Sequence, residues 1–451
     1  MYNSKSNYES TVQYLYSLQK HGIKLGLANT EALMHLLNRP HTAFRSIHIA
    51  GTNGKGSTAT ALASMLSANG LKVGLFTSPH LVSFTERIRI NSRKIDESDV
   101  IDLASKIRTV LAGTELNPTF FEFVTAMAFQ YFAINNVEWA VIETGMGGRL
   151  DATNVLSPEV CIITNISHDH MEFLGETLTD ITYEKAGIIK QEVPVITAAS
   201  QPEVIDQLQK ICDERSTALH VYGKDFMANL TRVEPQGTHF DYSGYNKYSN
   251  LSVPLAGAYQ AANAAMAIRA YELLQKNNLP FSDNAIRDGL KAVSLEGRLE
   301  RASDDPPILI DSAHNPEASQ ALASNMRILF PDKNIISVLG IMDDKDLQEI
   351  IRPLAKISRL IILTRAKYDR AASPEKLREV MNTIQRAGDK PVEAINTGSV
   401  SEAMAIARKA LKKNDIILVA GSFYTSGEVK ELLGSVGVLP TLRESLGTLA
   451  N

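Results

Sequence analysis

From residue 41 onward the chain alternates between two kinds of pattern. Short, mainly apolar runs occupy residues 46–50, 73–77, 139–143, 160–165 and 193–197. Runs of this length are how strands read when a parallel sheet is covered on both faces. Longer stretches with helical spacing lie between them. Residues 58–69 put Ala61, Leu62, Met65 and Leu66 on one stripe, and Gly70 follows as a helix C-cap. Residues 121–134 read as a second helix. This alternation predicts βαβ units around a mostly parallel sheet.

Residues 226–255 break the pattern. They are rich in Thr, Tyr, Asn and Ser, with short alternating runs such as 239–242. They predict a small antiparallel β element. Residues 257–275 and 282–292 return to helical spacing. A second alternating series starts near Ile308, with strands expected at 308–311, 335–339, 360–363 and 415–420. The stretch 294–307 is polar and ends in Asp304-Asp305-Pro306-Pro307, so it reads as a linker. The expected fold is α/β in two parts. Residues 1–295 form a domain with a mostly parallel sheet and the small antiparallel β element. Residues 296–451 form a second, Rossmann-like α/β domain.

Bulk composition narrows the class. A chain of 451 residues fits two or three domains, and 44% hydrophobic with 21% charged residues is ordinary for a globular protein. The net charge of −4 and the lack of a basic block argue against nucleic acid as main partner. A local basic cleft for an anionic substrate stays open. Cys161 and Cys212 sit in no CxxC or Cys/His cluster and read as reduced, buried and structural. Residues 1–10 are polar and lack the apolar core of a signal peptide, and no run of 18 apolar residues predicts a membrane span. A cytoplasmic protein is the expectation.

Chemistry enters at Gly51-Thr52-Asn53-Gly54-Lys55-Gly56-Ser57, between a predicted strand and a predicted helix. Glycines let the backbone curl around an anion, and the helix N-terminus favours negative charge. Lys55 adds a mobile cation and Ser57 a hydroxyl for phosphate or Mg²⁺. The spacing departs from the common Walker pattern, with only two residues between Gly51 and Gly54-Lys55. A P-loop that binds a nucleoside triphosphate is still the reading, because strand and helix flank it as the mechanism requires. The alternative is a flexible turn before a helix.

Glu143 closes the strand 139–143 and precedes Thr144-Gly145-Met146-Gly147-Gly148-Arg149-Leu150-Asp151. Open parallel sheets bind ligands at the carboxyl ends of their strands, so Glu143 suits Mg²⁺; a pairing with Arg149 is the plainer option. Ser167-His168-Asp169-His170 follows the next strand. Alone it fits a metal site, a proton-handling site or an ordinary polar loop. Lys185 would by base rate be a solvated surface lysine. Asp311-Ser312-Ala313-His314 and Ser422 stand at strand ends of the second series, so a cleft between the two domains is the economical site. The acidic run Asp343-Asp344-Lys345-Asp346 reads as a solvated helix start.

In order, these segments resemble the folylpolyglutamate synthase and dihydrofolate synthase enzymes of the Mur ligase superfamily. The likeness runs from Ile23-Lys24-Leu25-Gly26-Leu27 to Gly421-Ser422. It is carried by GTNGKGS at 51–57, TSPH at 77–80, FEF at 121–123, GMGGRLDATN at 145–154, HDH at 168–170, EKAGIIK at 184–190, QAANAA at 260–265, GR at 297–298 and DSAHNP at 311–316. No single motif is specific; the ordered set is.

The resemblance implies roles. Asn53, Gly54, Lys55, Gly56 and Ser57 hold the phosphates of ATP, and Asn263, Arg298 and Asp311 contact the nucleotide. Ser78 and Glu143 ligate one Mg²⁺ and His170 a second. Lys185 matches a lysine the family carbamylates, which reverses its base-rate reading by making it an anionic ligand. Lys55, Glu143, His170 and Lys185 form the catalytic group. Gly26, Thr119, Phe120 and Asp151 lie on the folate or pteroate side, and His314 and Ser422 near the incoming glutamate. The implied reaction joins L-glutamate to dihydropteroate or to reduced folates through an acyl phosphate, with ATP as co-substrate and a monomer as the working unit. GGRLDATN resembles bifunctional bacterial members; a monofunctional synthase is the alternative. A muramyl-peptide ligase would need more chain ahead of the phosphate loop. A guanine-nucleotide switch would need an Asp after Asn246-Lys247-Tyr248, where Ser249 stands.

Overall fold

The computed structural model describes residues 4–21, 26–275, 282–386 and 391–436. The segment 23–25, where the family likeness begins, lies outside the described residues.

The first sheet has eight strands: β1 (Arg45–Ala50), β2 (Val73–Phe76), β3 (Ile88–Ile90), β4 (Arg93–Lys94), β5 (Trp139–Glu143), β6 (Val160–Ile163), β7 (Val195–Thr197) and β8 (Leu219–Val221). Their order is β4-β3-β2-β5-β1-β6-β7-β8. Strands β2, β5, β1, β6, β7 and β8 pair in parallel, while β3 and β4 add an antiparallel edge. The five apolar runs read from sequence are the buried centre of this sheet. Strands β3, β4 and β8 were not expected. They are two or three residues long, too short to carry a period.

Apolar side chains fill both faces. One face is covered by Lys55–Ala68, Tyr259–Gln275 and Asp283–Lys291. The other is covered by Ser4–Ser17, Ala28–Leu36, Glu97–Leu111 and Phe120–Ile134. The helix expected at 58–69 begins three residues earlier, at Lys55, because Gly54 takes the left-handed conformation that turns strand into helix (φ 85°). The polar stretch after β8 forms an antiparallel sheet of β9 (Met227–Glu234), β10 (Gly237–Ser243) and β11 (Lys247–Val253), with β10 central. Phe240, Tyr242, Tyr248, Leu251 and Val253 point into the same core as Tyr259–Gln275.

The second sheet contains β12 (Glu300–Asp304), β13 (Pro307–Ile310), β14 (Asn334–Leu339), β15 (Ser358–Leu363), β16 (Glu393–Asn396) and β17 (Asp415–Ala420), in the order β12-β13-β17-β14-β15-β16. Here the linker expectation needs correction. Residues 300–304 are an edge strand antiparallel to β13, and Asp305-Pro306 is the turn of a hairpin. The strand is polar because its edge position leaves it half-exposed, with burial rising only across the pair. Strand β16 was also missed; it is a peripheral strand with no fully buried residue. Among the described residues, no helix is long and apolar enough to cross a membrane. Cys161 and Cys212 are both buried free thiols, as read from sequence.

Candidate active site

The carboxyl ends of both parallel sheets face one cavity of about 500 Å³. From the first sheet come the loops after β1, β2, β5 and β6; from the second come those after β13, β14, β15 and β17. Register explains the convergence. Ile49 of β1 lies level with Glu143 of β5, and Ala50 level with Ile163 of β6. The turn that starts at Gly51 therefore opens beside Glu143 and the loop leading to His170.

The phosphate loop is tight enough to require two of its glycines, Gly51 and Gly54. A Cβ on Gly51 (φ 141°) would stand 1.9 Å from Thr164 Oγ1, and one on Gly54 would stand 2.4 Å from Asn263 Oδ1. Lys55 Nζ donates to the carbonyls of Gly51 and Thr52, each at 3.1 Å. Lys185 Nζ donates to the same Gly51 carbonyl at 2.8 Å. Lys185 is buried, which corrects the base-rate expectation of a solvated lysine. Burial first, then the charge of Lys55, pushes its pKa down to about 7. Ser57 lies buried in the first turn of the helix behind the loop.

Glu143 is buried, and its Oε2 accepts the Ser78 N–H at 3.2 Å. Burial raises its pKa, against the pull of Lys55 and Arg298. The carboxylate lies against the start of the helix: a Cβ on Gly56 would sit in ordinary contact with Oε2, at 3.5 Å. His170 has a left-handed backbone (φ 52°), and enclosure pushes its imidazole down to about 3.

On the second-domain side, Asp311 holds two backbone N–H groups, from Leu299 and Ala313, each at 2.8 Å. Burial raises its pKa and Arg298 opposes the rise. The Arg298 guanidinium lies 5.0 Å over the Phe423 ring. His314 Nδ1 donates to the Ser312 carbonyl at 2.9 Å, which leaves Nε2 toward Asp169 at 3.5 Å. Ser422 is the N-cap of the helix Phe423–Leu432; its Oγ accepts the Thr425 N–H.

The far wall carries the remaining candidates. Thr119 caps Phe120–Ile134 in a capping box with Glu122. Phe120 stacks on Tyr16 at 5.6 Å. Gly26 lines the same wall. Asp151 is fully engaged by its own loop: Oδ2 accepts from Gly145 and Met146, and Oδ1 from the Thr153 N–H and hydroxyl. All the residues given a role by the resemblance border this single cavity, whereas His168 of the His168-Asp169-His170 run is exposed and outside its lining.

Sequence reasoning missed a polar seam across the cavity. Asp169 accepts from Lys345 Nζ at 2.6 Å and from Asn315 Nδ2 at 3.2 Å. Burial would raise its pKa, but His170, His314 and Lys345 outweigh that and hold it well below the carboxylate range. Asn53 joins Asn315 at 2.9 Å and Glu317 at 2.7 Å. Lys345 belongs to the acidic run read as a solvated helix start. Asp346 does cap Leu347–Ala355, but Lys345 turns inward with only 11% of its side chain exposed. Alternating charges hide which member of a run faces a cleft.

Known proteins match this arrangement. Residues 49–271 match the Mur ligase middle domain, and residues 297–423 match the Mur ligase glutamate ligase domain. A Bacillus subtilis dihydrofolate synthase/folylpolyglutamate synthase is 34% identical over 94% of this chain and 99% of its own length. The chain belongs to the dihydrofolate synthase/folylpolyglutamate synthase family of Mur ligases. Solved members of the family share its architecture. A Mycobacterium tuberculosis folylpolyglutamate synthase complexed with ADP and AMPPCP superposes with a TM-score of 0.87, at 30% identity over 96% of this chain and all of that one. An Escherichia coli FolC in complex with DHPP and ADP gives 0.84, at 31% identity over 94% of this chain and 97% of that one.

Proposed function

We propose that this family member joins L-glutamate both to dihydropteroate and to reduced folates, spending ATP through an acyl phosphate. The observation that carries the reading is the cavity itself. One cleft receives a phosphate loop, a buried carboxylate, a lysine with a depressed pKa and the polar strand ends of a second sheet. We read residues 1–295 as the ATP-binding unit and 296–451 as the glutamate-ligase unit. A monomer working in the cytoplasm completes the proposal; light scattering of the purified chain checks the first half.

The residues have physical reasons for their roles. A carboxylate is a poor electrophile, and a phosphate leaving group corrects this. Lys55 must swing from the Gly51 and Thr52 carbonyls onto the transferring phosphate, where its charge offsets the charge that develops. Gly54 and Gly56 present backbone N–H groups to the other phosphates. Asn263 packs on Gly54, and Arg298 and Asp311 stand where the rest of the nucleotide would leave the loop. The second-domain wall over the cavity keeps water from the acyl phosphate. His170, whose imidazole burial keeps neutral, is able to accept the proton that the attacking amine loses, and His314 is the second candidate for that role. The acceptor occupies the wall formed by Gly26, Thr119, Phe120 and the Asp151 loop, and the incoming glutamate the side of His314 and Ser422.

The donors fit Mg²⁺ with one condition. Glu143 is a buried carboxylate that a divalent cation would compensate, and Ser78 and His170 line the same cavity. Lys185 as an ammonium would repel such an ion. Its depressed pKa keeps much of it neutral near pH 7, and a neutral amine adds carbon dioxide with loss of a proton, giving an anionic carbamate. When bound, Mg²⁺ would neutralise charge on the phosphates being transferred.

The deciding experiment is ADP release with ATP, Mg²⁺ and L-glutamate, comparing dihydropteroate with tetrahydrofolate as acceptor. Turnover of both supports the proposal. Turnover of one reduces it to a single synthase activity. Silence on both sinks it.

A further inference from the structure

Two residues with left-handed backbone, Asn91 (φ 45°) and Ser92 (φ 66°), turn β3 directly into β4. A two-residue turn of this kind fixes the register of its hairpin. Arg89 therefore stands directly opposite Lys94. Like charges in a cross-strand pair repel, so the sheet carries this pair at a cost unless something answers the charge. On its other side Arg89 lies level with Leu75 of β2, whose side chain belongs to the core under the phosphate-loop helix. The pair thus stands on the face of the sheet that this helix covers.

A second cavity, of about 180 Å³, lies there. It shares no lining residue with the active site. Its walls come from the β3–β4 edge, from Ala63 and Ser64 of the phosphate-loop helix, and from Ser294 and Glu296 in the segment that leads to Arg298. One water needs only about 15 Å³, so a small ion fits with part of its hydration. Among the described residues, the charged side chains in the wall are Arg89, Lys94 and Glu296.

The carboxylates nearby are committed elsewhere. Glu86 accepts the N–H groups of Leu81, Val82 and Ser83 at 2.8, 3.2 and 2.7 Å. Glu296 accepts from Lys430 through Oε2. Lys94 reaches neither within hydrogen-bond distance, since its Nζ is 3.8 Å from Glu86 Oε1 and 3.7 Å from Glu296 Oε1. Arg89 donates from Nε to the Glu86 carbonyl at 3.2 Å, and its terminal nitrogens make no hydrogen bond to any described residue. Burial pushes its pKa down, with Glu86 and Glu296 opposing.

We propose that this cavity is a binding site for a small tetrahedral oxyanion of the phosphate type, held by the Arg89 fork and the Lys94 ammonium. A planar guanidinium meets two oxygens of such an ion at once, and an ammonium takes a third. The ion supplies the countercharge that the cross-strand pair lacks. It also ties the β3–β4 edge to the segment that leads to Arg298.

The test uses the full-length protein saturated with a non-hydrolysable ATP analogue, which fills the phosphate loop. Its melting temperature is followed against inorganic phosphate, with sodium chloride added to hold ionic strength constant. Phosphate should raise the melting temperature of the wild type along a saturating curve. At ten times the dissociation constant, the folded-to-unfolded ratio rises about elevenfold. Arg89→Gln should raise the phosphate dissociation constant about tenfold or more, with affinity for the analogue unchanged. Lys94→Gln should raise it less. The Lys94 side chain is 40% exposed, so this variant carries the test should Arg89→Gln fail to fold. No saturating shift in the wild type would overturn the proposal and leave the cavity to water. The same shift in both variants would overturn it too, by placing the phosphate elsewhere. A larger shift with acetate than with phosphate would overturn the tetrahedral class in favour of a carboxylate.

Discussion

Lys185 shows how a single position changes meaning with its surroundings. In the sequence it is one lysine among many at the end of a helix. In the fold it is enclosed, shares a carbonyl with Lys55 and sits near pH 7 in its ionisation. Lys185→Ala should lower kcat by about a hundredfold or more, the scale of losing one electrostatic contributor to the transition state. The ADP-release assay checks it, and full turnover in the variant would remove the carbamate proposal. His48 supplies a residue-scale prediction about stability. It is fully buried on β1 and donates from Nε2 to Thr153 Oγ1 at 2.7 Å. Burial, then the charge of Lys190, pushes its pKa down to about 3. The unfolded chain binds this proton near pH 6.5 and the native chain does not, so stability falls as pH drops from about 6.5 toward 3. Between pH 7 and pH 5 this one group should cost about 2 kcal/mol. Urea unfolding at the two pH values measures it, and His48→Asn should lose that part of the difference.

At the scale of elements, the phosphate-loop helix depends on what packs behind it. Lys55–Ala68 is pressed by Asp283–Lys291 so closely that a Cβ on Gly289 would stand 2.4 Å from the Met65 Cα. Ser64 Oγ also donates to the Gly289 carbonyl at 2.7 Å. Gly289→Ala must push the helices apart, at a cost of about 1–3 kcal/mol. The melting temperature should drop accordingly, and ATP affinity should weaken because the loop rides on that helix. An unshifted melting curve would show that the contact yields without strain. The main strands and this helix were legible in the sequence because their apolar runs are long enough to carry a period. Strand β12 was not. Its half-exposed polar residues look like a linker until β13 supplies a partner.

For the whole molecule, the telling feature is the seam between the sheets. The chain carries a net charge of −4, yet its cavity gathers Lys55, Lys185, Arg298, Lys345 and Arg370. Asp169 answers part of that charge and fastens the second domain through Lys345, Asn315 and His314. Only 7% of the Asp169 side chain and 11% of Lys345 is exposed, so removing one charge strands the other. Asp169→Asn should destabilise the closed arrangement by about 3 kcal/mol. Small-angle scattering of the substrate-free protein should then report a larger radius of gyration than the wild type. Identical curves together with an unaltered melting temperature would count against a fastening role.

By itself, the sequence determined the class of fold and most of the candidate site. Buried parallel strands must be mostly apolar, and strand-end loops that handle phosphate must combine glycine with a cation, so both leave local marks. The ordered motifs then pointed to a family that the matching proteins bear out. Only the tertiary structure decided which surface-looking charges turn inward. Lys345 and Arg370 lie in stretches with the composition of ordinary solvated loops. Their place in the cavity comes from β14 and β15 ending beside a sheet that is distant in sequence, and no local pattern encodes a contact between two sheets.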